Sequence, residues 1–236
     1  MTALLGAELL KLRTVRTFMW IALANTVLVF LALISYAAST DEIEFAADDR
    51  SAAQVAGVAI VFALLGGIVV MAGEATHGTI TQTLLVTPVR ERVLLVKALV
   101  AALAGLVLAV VTEALVLLVL VPGVSLSVHN ARLVLLGVLV GAPLAGALGV
   151  GVGALVHSQG AGIAITLVWL LIGEHLVPLI GHDVEKYTPG RTFAALASGT
   201  RHGEELFGMW TGGVASAAWT AAFVAAGLAA FVRRDV

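Results

Sequence analysis

Long, nearly uninterrupted runs of apolar residues dominate this chain. The first extends from Phe18 to Ala38, and comparable runs recur through the 236 residues. A helix of about 20 residues, rising about 1.5 Å per residue, crosses a hydrocarbon core about 30 Å thick. The mean hydropathy is +1.07 and only 12% of the residues are charged, against about 25% in soluble domains. The sequence therefore predicts an all-α polytopic membrane protein.

The apolar runs predict six transmembrane helices within a single transmembrane domain, 1–236. These helices are 17–38, 52–73, 94–121, 132–156, 161–180 and 211–232. Two other segments are longer than turns, namely 1–16 and 181–210. The second is interrupted by Pro189 and several glycines, and it is long enough for short helices that dip back toward the membrane.

Basic residues predict which connections face the cytoplasm. They concentrate at the amino terminus, in the second connection and at the carboxyl terminus, whereas DEIEFAADDR follows the first predicted helix. Cytoplasmic connections are enriched in Lys and Arg. We therefore expect a multi-pass protein of the cell (inner or plasma) membrane, embedded in the lipid bilayer, with both termini cytoplasmic and 181–210 extracellular. The basic residues concerned are Lys11, Arg13, Arg16, Arg90, Arg92, Lys97, Arg233 and Arg234.

Small residues recur every fourth position along the fourth predicted helix. Residues four apart share a helical face, and small side chains on that face let another helix approach closely. Glycine is frequent in membrane helices, which would explain any single one, but five in register favour a helix-packing surface. Its residues are Gly137, Gly141, Ala145, Gly149 and Gly153.

Glu113 is the one acidic residue well inside a predicted helix. A carboxylate buried unpaired in a membrane costs several kcal/mol or takes up a proton, so it is a functional hypothesis by default. Glu113 also fits a position facing a watery vestibule or a neighbouring helix, and both interpretations stay open. Glu174 and His175, near the outer end of the fifth predicted helix, are explained by the interface.

The chemistry of an enzyme is not apparent in the sequence. There is no cysteine, HExxH pair, GxSxG serine or GxxxxGK[ST] loop, so we expect no catalytic residue, metal site or cofactor in this chain. Nucleotide energy would have to come from another polypeptide, and nothing suggests nucleic acid as a partner. The nearest approach to an acid–base cluster, better explained as a solvated turn, is His202, Glu204 and Glu205.

The connection after the second predicted helix reads GEATHGTITQTLLVTPVRERVLLVK, from Gly73 to Lys97. Its residues 74–88 predict a short amphipathic helix that is too polar to span a membrane and that Pro88 ends. One face carries Gly73, His77, Ile80 and Leu84, and away from it lie Thr79, Gln82 and Thr83. A cytoplasmic loop fully explains Arg90, Arg92 and Lys97, but it does not explain an ordered amphipathic segment.

This connection resembles the segment between the second and third helices of type-2 ABC exporter permeases. The opening AELLKLRTVRTFMW is similar to the basic elbow helix of that family, and helix number, loop placement and length agree along the whole chain. The residues that carry the resemblance are Glu74, Gly78, Thr79, Leu84, Leu85, Thr87, Pro88, Arg90, Arg92 and Lys97.

The resemblance implies a permease dimer, with a second copy or a similar permease, on two copies of a separate ATP-binding subunit that would hold ATP and Mg. Residues 74–88 would be the coupling helix in a groove of that ATPase, and 1–16 the elbow segment. ATP-driven motion would then export a hydrophobic drug, lipid or peptide. The implied coupling interface comprises Glu74, His77, Gly78, Thr79, Ile80, Gln82, Thr83, Leu84, Pro88 and Arg90.

Two further sets of residues are proposed beside the coupling interface. Glu74 is expected to pair with Arg13 or Arg16 of the elbow. In the family the second and fifth helices line the pathway, which gives the pathway candidates Phe62, Leu65, Ile165 and Trp169, with Glu113 added from its own position. Two alternatives stay open: a membrane-embedded hydrolase that uses the outer acids and histidines, and a non-transporting partner such as an immunity or sensory subunit.

Overall fold

The computed structural model describes residues 2–14, 16–38, 53–124, 128–179, 182–199 and 207–233, and the elements within these ranges are helical. A short 3-10 turn, Val55–Gly57, leads into the third helix. In chain order the helices are α1 (Thr2–Thr14), α2 (Arg16–Ala38), α3 (Val58–Thr76), α4 (Ile80–Val86), α5 (Arg90–Val124), α6 (Val128–Val156), α7 (Gln159–Leu179), α8 (His182–Glu185), α9 (Pro189–Ser198) and α10 (Met209–Arg233).

Six of these helices, α2, α3, α5, α6, α7 and α10, are long and apolar enough to cross a membrane. Each coincides with one predicted helix to within a few residues. The prediction of an all-α, six-helix, multi-pass membrane protein is therefore confirmed. The largest shift is at α3, predicted as 52–73 and observed as Val58–Thr76. α5 begins at Arg90, earlier than predicted, so Lys97 lies well inside this helix.

The central helix of the bundle is α6, which packs against α3, α5, α9 and α10. A Cβ on Gly149 would collide with the Leu64 carbonyl oxygen of α3 and lie 3.0 Å from the Cα of Gly67. A Cβ on Gly137 would meet the Leu196 carbonyl oxygen of α9 in the same way. The small-residue ladder therefore lies where neighbouring backbones touch α6, which is the arrangement that lets membrane helices pack closely.

Burial differs sharply between the central and peripheral helices. More than half of the most apolar stretch is buried in α3, α5 and α6, but only 17% in α2 and 11% in α7. Midway along α7, Trp169–Gly173 forms a π-helical turn, which shifts the helical register by one residue. α2 and α7 therefore present most of their apolar surface outward.

The structure corrects the predicted helix 74–88. α3 continues to Thr76 and contains Glu74, so only Ile80–Val86 forms a separate helix. Between them, Gly78 has φ +69°, and the backbone N–H of Thr79 donates to the Glu74 carbonyl oxygen at 2.9 Å. A left-handed residue ends a helix, and glycine adopts that conformation at little cost. The pattern of apolar residues continued across Gly78 and concealed this break.

The described part of 181–210 contains two short helices, α8 and α9. The buried residues of α9 include Thr192, Phe193 and Leu196, and this helix packs against α6 and α10. Gly199, with φ +64°, ends it. The segments 180–181 and 200–206, with the predicted His202, Glu204 and Glu205, lie outside the described residues.

Candidate functional site

Four helices meet at one end of the molecule, which we call the elbow end. They are α1, the carboxyl end of α3, α4 and the amino end of α5. The last turn of α10 is there too, because the Arg90 guanidinium donates to the Phe231 carbonyl oxygen at 3.0 Å. A cleft of about 730 Å³ opens at this end, with apolar Phe18, Val69 and Val70 and polar Glu74 among its lining residues.

Beside the cleft, Glu8, Lys11, Glu74 and Lys97 form a closed ring of ion pairs, which we call the charge ring. Lys11 Nζ lies 2.7 Å from Glu8 Oε1 and 2.6 Å from Glu74 Oε1. Lys97 Nζ lies 2.8 Å from Glu8 Oε2 and 2.8 Å from Glu74 Oε1. Two lysines and two glutamates balance in charge, and they tie α1 to both α3 and α5.

The charge ring is buried on one side and open on the other. The side chains of Lys97 and Glu8 are 0% and 2% exposed, whereas that of Lys11 is 42% exposed. A buried charge is tolerated when it is paired and hydrogen-bonded, which the ring achieves for Lys97. The interpretation of Lys97 as a positive charge of a cytoplasmic loop is therefore wrong, because its ammonium lies inside the helix bundle.

Lys11 also shows how strongly the ring acts on its exposed member. Partial burial by itself lowers the pKa of Lys11, but hydrogen bonds and electrostatic attraction from Glu74 and Glu8 outweigh burial and raise that pKa above its ordinary value of 10.5. The stabilisation from Lys11 is therefore fully present below about pH 10.5 and is lost as the pH rises through the raised pKa.

These contacts give Glu74 two partners that the sequence did not predict, and its pairing with Arg13 stays a prediction. Glu74 pairs with Lys11 and Lys97, and Arg16 makes no ion pair with Glu74 in the part of the chain that the structure describes. The Arg13 side chain lies outside the described residues. Glu8 and Lys11 are three residues apart, so they share a face of α1 and reach α3 and α5 together. Arg16 instead begins α2, beyond the end of α1.

α4 is anchored to the bundle by one apolar face. Ile80 is 8% exposed and Leu84 is partly buried, and both pack against a cluster that includes Met71, Val93 and Leu94. On the other side, Leu85 and Val86 are 81% and 85% exposed. Neither residue belongs to the predicted coupling interface, although three consecutive apolar residues, Leu84 to Val86, cannot all face one side of a helix.

A hydroxyl joins α4 to the charge ring. Thr83 Oγ1 donates to Glu74 Oε2 at 3.1 Å and accepts from Lys11 Nζ at 3.3 Å. The other predicted coupling residues surround this contact in two groups. Exposed are His77, Gly78, Thr79, Gln82 and Pro88, while Ile80, Leu84 and Arg90 face the bundle to differing degrees.

The predicted pathway residues do not share one surface of the chain. Leu65 is 9% exposed and packs with the face of α7 that carries Ile163 and Leu167. Ile165 and Trp169 lie on the outward face of α7, at 57% and 43% exposed. Phe62 is partly buried against the main core. A pathway role for these four side chains stays a prediction.

Glu113 and Glu174 are buried in different ways. Glu113 is 8% exposed, and its Oε1 has no hydrogen-bond partner among the described residues. Glu174 is 6% exposed, and its Oε1 accepts from the backbone N–H of Gly190 at 2.5 Å, in the first turn of α9. Glu174 therefore fastens α7 to α9, a contact that an interfacial position did not predict.

A family model described as "ABC-2 family transporter protein" matches residues 3–236. No curated protein and no solved structure matches the chain. The match extends over nearly the whole sequence and confirms the resemblance found in the elbow and in the connection between α3 and α5. The chain therefore belongs to the ABC-2 family of transporter proteins, as the membrane-spanning permease subunit of an ABC transporter.

Proposed function

We propose that this permease couples ATP hydrolysis on separate ABC ATP-binding subunits to the export of a hydrophobic drug, lipid or peptide, and that α4 docks on those subunits. The observation that carries the proposal is the orientation of α4. Ile80 holds this helix against the bundle while Leu85 and Val86 point away from it, at 81% and 85% exposed.

The position of α4 favours a protein partner over lipid as the cover for these side chains. α4 has 7 residues and is about 10 Å long, too short to cross a bilayer. It also follows the polar turn of His77, Gly78 and Thr79, all exposed, where the chain leaves α3. Short amphipathic helices with exposed apolar side chains commonly bind in a groove of a partner.

The same proposal gives the remaining parts of the assembly. Two permease chains stand on two ATP-binding subunits, which hold ATP and Mg, and the elbow end faces the cytoplasm with both termini. The poorly buried outward face of α7, with Ile165 and Trp169, is available to a second permease or to lipid. We propose a hydrophobic substrate because the surfaces of the spanning helices are apolar.

The test compares two matched substitutions at opposite ends of the molecule. Val86→Glu changes the exposed surface of α4, whereas Val184→Glu makes the same change on the 54% exposed Val184 of α8. Each tagged variant is purified from its own membranes in mild detergent. The co-purifying protein is identified by its nucleotide-binding motifs, and its ATPase activity is measured.

We expect Val86→Glu to lower recovery of the ATP-binding subunit by about tenfold or more, as for a central interface residue. Val184→Glu should leave recovery unchanged. Equal recovery of the ATPase in both variants would remove α4 as the docking element, and absence of any ATPase from the unsubstituted chain would refute the function.

A further inference from the structure

We propose that the charge ring is the element through which displacement of α4 reaches the elbow and the spanning helices, with Thr83 as the positioning residue that joins α4 to it. This inference rests on the proposed docking of α4 on an ATPase. It goes further by naming the side chains that carry the displacement inward from the docking surface.

The contacts of Thr83 support this role. Its hydroxyl is bonded at once to Glu74 of α3 and Lys11 of α1, at 3.1 Å and 3.3 Å. Those two residues are neighbours in the ring and contact the remaining members, Glu8 and Lys97. One hydroxyl on α4 therefore hydrogen-bonds directly to α1 and α3, and it reaches α5 through the ion pair of Glu74 with Lys97.

The burial of the ring explains why it transmits displacement. Lys97 and Glu8 are 0% and 2% exposed, so neither can exchange its partner for water when the helices shift. An unpaired buried charge is too costly, and Glu8, Glu74 and Lys97 must therefore move together. α1, α3 and α5 are in this way constrained to respond as one unit.

Lys11 gives the ring a second arrangement. Its side chain is 42% exposed, so its ammonium can replace a lost contact with water at modest cost. Movement of α4 that breaks the Thr83 bonds leaves Lys11 free to release Glu74, while Lys97 keeps both glutamates paired. A closed ring and a ring opened at Lys11 are two discrete states of the kind that coupling between distant sites requires.

The experiment uses the complex of the permease with its ATP-binding subunit in vesicles of phosphatidylethanolamine and phosphatidylglycerol. The chain has no native cysteine, so Val184→Cys on α8 is a single reporter. It lies beyond the end of α7 that is remote from the elbow end. Its reaction rate with a water-soluble maleimide is measured without nucleotide and with ATP plus vanadate.

Three substitutions are compared in this background. Thr83→Val removes the hydroxyl and keeps the shape, whereas Thr83→Ser keeps the hydroxyl. Thr14→Val makes the same change on α1, where the Thr14 hydroxyl, within the described part of the chain, donates to the carbonyl oxygens of Leu10 and Lys11 in its own helix. ATPase co-purification and ATP hydrolysis are recorded for each variant, so that loss of assembly is distinguished from loss of transmission.

We expect ATP with vanadate to change the labelling rate in the unsubstituted complex, with Thr83→Ser and with Thr14→Val. The Thr83 hydroxyl bonds inward to Glu74 and Lys11 and is not on the exposed face with Leu85 and Val86, so in Thr83→Val the ATPase should still assemble and hydrolyse ATP. The change in labelling rate should fall by roughly tenfold, as for one hydrogen bond to a charged group. Lys11→Met opens the ring from its other side and serves as a second variant in case Thr83→Val assembles poorly. It should reduce the ATP-dependent change in labelling rate by a similar factor.

Two results would overturn the inference, and they differ from each other. If Thr83→Val and Lys11→Met respond to ATP as fully as the unsubstituted complex, the ring does not transmit displacement, although docking of the ATPase stands. If the unsubstituted chain binds no ATPase or shows no response to ATP, the proposed function fails and the inference fails with it.

Discussion

Replacing Lys97 with methionine tests the energetic reasoning about the charge ring most directly. The substitution keeps a long apolar stem but removes the buried ammonium, so Glu8 and Glu74 are left with Lys11 as their only cation in the ring. The ring then carries one excess negative charge at a place where Glu8 is 2% exposed. The variant can remove that charge by taking up one proton.

The cost of this proton sets the magnitude. Protonating a carboxyl group with an ordinary pKa of about 4.3 at pH 7 costs about 3.7 kcal/mol, at about 1.36 kcal/mol per pH unit. Removing one partner of a buried ion pair destabilises proteins by about 3–5 kcal/mol in mutational studies, which agrees with this cost of protonation. We therefore expect Lys97→Met to lower the free energy of unfolding by about 3–4 kcal/mol at pH 7. Lys11→Met leaves the same excess charge, but Lys97 still pairs both glutamates and water reaches the 42% exposed position of Lys11. Its cost should therefore be only about 1 kcal/mol or less.

The sign of the pH dependence follows from the same proton. The folded variant binds one proton more than its unfolded chain above about pH 4.3, so its stability relative to the unsubstituted protein rises as the pH falls. At pH 5 the difference should shrink to about 1 kcal/mol. The double variant Lys97→Met with Glu8→Gln removes the excess charge and should recover most of the loss at pH 7.

Unfolding is measured in mixed micelles with an increasing fraction of SDS, followed through the fluorescence of the 4 tryptophans. Wild type, both lysine variants and the double variant are compared at pH 7 and pH 5. The reasoning is refuted if Lys97→Met costs no more than Lys11→Met, or if its cost is the same at both pH values.

Three further predictions test other parts of the structure in the same unfolding assay. Gly149→Ala should lower the free energy of unfolding by about 1–3 kcal/mol because the new Cβ meets backbone atoms, whereas Gly160→Ala, with nothing within 4 Å, should leave it unchanged. Equal effects of the two substitutions would contradict the close packing of α6. Gly78→Ala should cost about 1 kcal/mol because its φ is +69° and not because of crowding, so Gly78→Asn should be milder. Glu174→Gln should lower the free energy of unfolding by about 1 kcal/mol, because it weakens the hydrogen bond from the Gly190 N–H at the start of α9. An unchanged free energy of unfolding would show that this contact does not stabilise the fold.

The sequence predicted the spanning helices well because bilayer thickness alone dictates their length and composition. The small residues of α6 were predicted for a related reason, since their four-residue spacing is a local property. Neither argument needs knowledge of which helices are neighbours in space. The elbow and the connection after α3 could also be recognised, because their residues follow a pattern along the chain.

What the sequence could not supply was the partner of each charge. Lys97 and Glu8 are 89 residues apart in the chain, and nothing in the local pattern brings them together. Lys97 was therefore interpreted from the charge of its neighbours Arg90 and Arg92, which lie nearer the helix end. The break at Gly78 was missed for a different reason: one residue with positive φ rotates α4, and the apolar period alone does not show where a helix ends.

The unequal burial of the helices has a consequence for how this protein can vary. On α2 the outward positions, such as Trp20 and Leu31, are 66% and 59% exposed, so apolar side chains of other shapes can replace them. On α6 a single added methyl group meets main-chain atoms. In a library of all single substitutions, survivors should be abundant along α2 and scarce along α6. Substitutions should therefore accumulate fastest at the outward positions of the peripheral helices and slowest on the central helix α6.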